Sequence, residues 1–98
     1  MLEKQIEAYL VARIKQLGGI AYKFTSPQRR SVPDRLVLLP GGHIAFVELK
    51  ATGCKPTPLQ EREHARLRAL MFPVLVIDSK EEIDRRYPLA PNKTRLTD

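Results

Sequence analysis

The sequence predicts an α/β fold: a small mixed sheet flanked by helices. Three observations lead there. Apolar residues recur at helical spacing over residues 2–17, four short apolar runs lie between turn signals, and a capped helix separates the last two runs. Ninety-eight residues make one domain. Hydrophobic residues are 43% of the chain and charged residues 29%, the balance of a folded protein rather than a disordered one.

Leu2, Ile6, Leu10, Ile14 and Leu17 predict an amphipathic helix over 2–17, and Gly18-Gly19 stops it. A short strand is expected over 20–24. Residues 25–33 form a loop with two prolines and the adjacent Arg29 and Arg30. Strands over 35–39 and 43–50 flank Pro40-Gly41-Gly42, which makes them an antiparallel hairpin. Thr57 is a helix N-cap, Pro58 suits the first helical position and Gln60 closes a capping box. That helix runs through Leu59, His64, Leu67 and Leu70 to Phe72-Pro73. The β-branched run 74–77 is expected to be a central, buried strand, parallel to the strand before the helix through a crossover. Ser79 to Glu82 reads as a second capping box, opening a short helix that Pro88 ends. The domain is expected over 1–87, with 88–98 as a polar tail or arm.

Lys and Arg total 17 against 11 Asp and Glu, for a net charge of +6. Such a balance points to a polyanion, most simply nucleic acid; the plainer alternative is a soluble basic protein. Lys23, Arg29, Arg30, Arg35 and Lys55 lie in or beside the loops around the candidate site, where phosphate contacts position a strand. Arg62, Arg66 and Arg68 read as a solvated helix face. The single Cys54 excludes an internal disulfide, and two His with one Cys are too few for a Cys/His zinc site. Charges spaced through residues 1–17 do not fit a secretory leader, and no uncharged run approaches the roughly 20 residues that span a bilayer. The expectation is a cytoplasmic protein with no membrane partner. A small core with 6% aromatics and no Trp often gains stability by association, which leaves an oligomer open.

The informative segment is Val32-Pro33-Asp34 followed by Glu48-Leu49-Lys50. Side chains alternate along a strand, so Glu48 and Lys50 share a face at the end of an apolar, interior strand. Counting out from the Gly41-Gly42 turn pairs Asp34 with about Lys50. Two carboxylates and an ammonium then meet at one sheet end. Carboxylates that close repel unless a cation lies between them, and hard oxygen ligands suit Mg2+ or Mn2+. Such an ion polarises a phosphate and acidifies a bound water, while Lys50 orients that water or offsets charge on the phosphate. An ion-pair cluster capping strand ends is the competing account. Glu-x-Lys alone is common by chance; Pro-Asp before one strand and Glu-x-Lys closing the next is far more specific.

Asp34…Glu48-Leu49-Lys50 resembles the PD-(D/E)xK nuclease signature, and more narrowly the small stand-alone VRR-NUC domains of phage and bacteria. The resemblance spans about residues 3–79, including Ser-Val-Pro-Asp-Arg, Phe-Val-Glu-Leu-Lys and Pro-Leu-Gln. It implies a restriction-endonuclease-like α-β-β-β-α-β core and metal-dependent hydrolysis of DNA phosphodiesters. It also implies a homodimer that cuts branched DNA in the manner of archaeal Holliday-junction resolvases, in the cytoplasm of a bacterial or phage-infected cell. By resemblance Asp34 and Glu48 are metal-binding acids, the Leu49 carbonyl is a backbone ligand, Lys50 is the catalytic lysine and Gln60 is the glutamine of the following helix. Glu7 is the favoured first-helix metal acid and Glu3 its alternative. Ser31 stands where the family usually has Gly, and a positive φ there would strain it; Met71 stands where a helix-ending Gly is common, which leaves that C-cap without its usual residue. His43 and His64 have no spacing partner, and His64 is expected at a surface or interface. Two other functions remain open: a non-catalytic nucleic-acid-binding module on the same fold, and a nuclease for flap or single-stranded DNA.

Overall fold

Helix α1 (Glu3–Gln16) buries Ile6, Leu10 and Ile14 completely, the i, i+4, i+8 stripe that the apolar spacing predicts. Gly18, at φ +85°, turns the chain out of the helix. Gly19 then lets it pass close to the sheet: a Cβ there would stand 2.3 Å from the Leu38 carbonyl oxygen. The architecture is that of a computed structural model, which describes residues 1–89. The expected tail therefore lies mostly outside the described residues.

Strands β1 (Ile20–Lys23), β2 (Arg35–Leu39) and β3 (His43–Leu49) form an antiparallel meander. Helix α2 (Pro58–Ala69) crosses over to β4 (Val74–Ile77), which pairs parallel with β3, and α3 (Lys80–Arg86) follows. Sheet order is β1-β2-β3-β4. This is the mixed, helix-flanked sheet expected from the sequence, including the parallel crossover.

Two expectations about the sheet are corrected. β4 is an edge strand; β2 and β3 are central. Its apolar run reflects helices over both faces, not a strand on both sides. The hairpin pairs Arg35 with Val47, which brings Asp34 opposite Glu48 rather than Lys50. The turn is centred on Gly41, and both Gly41 and Gly42 adopt positive φ.

Alternation along β3 sends Ala45, Val47 and Leu49 to one face, where they pack with α1, Val37, Ile77 and Ile83 of α3 in the main core. Ile44, Phe46 and Glu48 point to the other face, which α2 covers at the β3–β4 end. Toward β1 that face stays open, leaving Ile20 and Tyr22 exposed. Thr57 caps α2 as expected: its hydroxyl accepts the Gln60 N–H while Gln60 Oε1 accepts the Thr57 N–H. Ser79 makes only the first half of a box, accepting the Glu82 N–H. Met71 does carry a positive φ, 74°, with its side chain exposed, whereas Ser31 has an ordinary negative φ and no strain of this kind.

Candidate active site

The site forms where β2 begins and β3 ends. Asp34 Oδ2 accepts the Leu49 N–H at 2.8 Å, tying the loop end to the partner strand. Glu48 is 2% exposed. Gln60 Nε2 donates to its Oε2 at 3.0 Å, and Lys50 Nζ lies 3.7 Å from the same oxygen. One Gln60 side chain thus caps α2 through Oε1 and holds Glu48 through Nε2. The other oxygen, Oε1, is buried without a hydrogen-bond partner among the described residues.

Burial raises the Glu48 carboxyl to about 7, with Asp34 pushing the same way and Lys50 opposing. Glu3, in the first turn of α1, also raises it. Glu7 is engaged elsewhere: its carboxylate accepts from Arg35 Nε at 2.8 Å and lies 3.8 Å from Lys23 Nζ. Arg35 pairs with Val47, so this ion pair belongs to the α1 face of the sheet, opposite Glu48.

Among the described residues no three His, Cys, Asp or Glu side chains gather closely enough to hold a metal ion by themselves. The residues nonetheless fit a hard divalent cation. A buried carboxylate oxygen without a partner, a second carboxylate on the next strand and an intervening main-chain carbonyl form the oxygen-rich set that Mg2+ or Mn2+ takes together with water and phosphate oxygens.

The basic residues divide. Lys23 and Arg35 pair with Glu7, and Arg29 lies 3.2 Å from the buried Glu63, pinning the β1–β2 loop to α2. Arg30 and Lys55 make no ion pair among the described residues. Arg29 and Arg30 line an open cavity of about 400 Å3 with Gln28, Ser31, Thr57 and Gln60, on the approach to Glu48. On the helix face read as solvated, Arg68 instead donates to the Val74 carbonyl at 2.8 Å.

His64 is the main correction. It is 1% exposed, and its Nε2 lies 3.7 Å from Glu48 Oε1. It stands four residues after Gln60, one turn along the same face of α2. That interval from the glutamine is the signal by which the sequence places it at the site.

A solved structure described as a VRR_NUC domain superposes with a TM-score of 0.80 at 39% identity, covering 85% of this chain and 90% of that one. The chain belongs to the VRR-NUC nuclease family. It is also 62% identical over 79 residues to a protein named "Putative nuclease p44" of Acyrthosiphon pisum secondary endosymbiont phage 1, across 81% of this chain and 85% of that protein. No family model matches. The match makes the VRR-NUC fold the frame for the Asp34–Glu48 pair. No helix among the described residues is long and apolar enough to cross a membrane.

Proposed function

We propose that this chain is a Mg2+- or Mn2+-dependent endodeoxyribonuclease that hydrolyses phosphodiesters of branched DNA, four-way junctions included, as a homodimer in the cytoplasm of a bacterial or phage-infected cell. The observation that carries the reading is Glu48, a buried carboxylate with one oxygen held by Gln60, the other unpartnered, and Asp34 and Lys50 alongside.

Asp34, Glu48 and the Leu49 carbonyl are the groups that would hold the cation. When bound, it supplies Lewis-acid polarisation of the scissile phosphate and a water of lowered pKa. Asp34 spends one oxygen on the Leu49 N–H and keeps the other for the site. Gln60 holds one oxygen of Glu48. Lys50, with its side chain 15% exposed, orients the attacking water and offsets charge on the phosphate in the transition state. Of the two α1 acids Glu3 suits a third role better than Glu7, whose carboxylate is already paired with Arg35 and Lys23. Arg30 and Lys55 take backbone phosphates on either side. The nuclease named in the phage relative and the net charge of +6 support a DNA substrate. Exposed Ile20, Tyr22 and Phe72 support a second copy, which would set two sites against opposed strands.

The test is cleavage of a four-way junction, a flap, a linear duplex and a single strand with Mg2+, Mn2+ or EDTA. Paired, metal-dependent nicks at the junction are expected. Cutting confined to flaps or single strands overturns the substrate. Salt-sensitive binding with no cleavage of any form overturns the enzyme in favour of a binding module.

A further inference from the structure

Burying a polar atom without a partner costs about 1–3 kcal/mol. Two such atoms facing each other in one site are therefore a functional signal. Glu48 Oε1 and His64 Nε2 are both buried, both lack a hydrogen-bond partner among the described residues, and stand 3.7 Å apart. Gln60 and His64 occupy positions i and i+4 of α2, one addressing each oxygen of the same carboxylate. Helix α2 buries only Glu63 and His64, so His64 is not there to complete an apolar stripe.

We propose that His64 is a positioning residue for Glu48. With Gln60 it forms a two-point clamp that sets the carboxylate plane and holds Oε1 toward the cation site. A neutral imidazole with its proton on Nε2 donates to Oε1 after a shift of less than 1 Å toward hydrogen-bond distance. A neutral donor fixes the carboxylate without cancelling the charge a cation needs. The inference rests on the nuclease reading and adds a residue whose effect runs through Glu48.

The experiment measures Mn2+ binding by calorimetry, cleavage as a function of Mn2+ and Mg2+ concentration, and thermal unfolding, for the wild type, His64→Ala and His64→Gln. Loss of an outer partner of a metal ligand typically weakens affinity 10–100-fold. Weakening of about tenfold or more is expected for both ions in His64→Ala, with most of the maximal cleavage rate recovered at saturating metal. His64→Gln, which restores an N–H donor, is expected to bind within about threefold of the wild type. His64→Ala and His64→Gln that melt lower yet both bind Mn2+ like the wild type overturn the proposal, leaving His64 as core filler. Loss of Mn2+ response in His64→Gln with Mg2+ response intact makes His64 a direct ligand and also overturns it. A wild type that binds neither ion overturns the nuclease reading and this inference together, whereas the other two outcomes spare that reading.

Discussion

Helices α1 and α2 cover opposite faces of one sheet and bury opposite kinds of side chain. α1 buries Ile6, Leu10 and Ile14; α2 buries Glu63 and His64 and leaves Leu59, and Leu70 at its C-cap, exposed. β3 feeds both faces, with Val47 and Leu49 under α1 and Glu48 under α2. Apolar burial adds stability roughly in proportion to area, whereas a buried carboxylate costs free energy until it is paired. The α1 side therefore carries the stability of the domain, and the α2 side spends part of it to hold a reactive group.

The widest separation of the two sides is expected from neighbouring residues of β3 and the loop after it. Lys50→Ala should lower the cleavage rate by about a thousandfold, the scale for losing a preorganised charge at a reacting phosphate, while leaving the melting temperature nearly unchanged. A Lys50→Ala protein that cuts at the wild-type rate would break the comparison on its functional side. On the stability side, Leu10→Ala is expected to cost about 2–5 kcal/mol in urea unfolding, and Leu59→Ala on α2 less than about 0.5 kcal/mol. Equal costs would mean that α2 carries as much packing as α1.

Glu48 adds a pH dependence of unusual sign. Its carboxyl is raised from 4.5 to about 7 on folding. The stability tied to it is fully present below about pH 4.5 and is lost as pH rises through about 7, levelling off above. The loss is on the order of 3 kcal/mol without metal. Unfolding in EDTA from pH 4.5 to 8.5 should show this decline, and Glu48→Gln should flatten it. Metal binding should strengthen across the same interval as the proton leaves.

The two acids of α1 sharpen the assignment further. Glu3→Gln is expected to reduce metal-dependent cleavage about tenfold or more with stability unchanged. Glu7→Gln should cost about 1 kcal/mol through its partly buried pairing with Arg35 and Lys23, with a smaller effect on cleavage. The reverse order returns the metal-binding role to Glu7. The smallest effect is expected at the end of α2. Met71→Gly relieves a left-handed residue and should raise stability by about 1 kcal/mol with activity unchanged, as calorimetry would read.

What the sequence determined by itself is local. Helix starts at Thr57 and Ser79, the stop at Gly18-Gly19, the turn at Gly41-Gly42, the strands 35–39 and 74–77, and the Asp34, Glu48, Lys50 and Gln60 set were all legible. Each depends on neighbours a few residues apart or on a spaced motif. Tertiary structure decided the rest. The hairpin register shifted because a turn centred on one glycine and a turn centred between two look alike along the chain. β4 looked central because helices hide an edge strand as well as neighbouring strands do. Glu7 and Glu3 share a face of α1 one turn apart, and only the placement of the helix along the sheet gives Glu7 to Arg35 and Lys23. Arg29 and Arg35 carried the charge of phosphate ligands but fold onto Glu63 and Glu7. His64 read as a surface or interface residue, because its burial arises only from packing α2 against the face of β3 that carries Glu48. Periodicity tells which residues lie on one face of an element; only the docking of elements tells what that face meets.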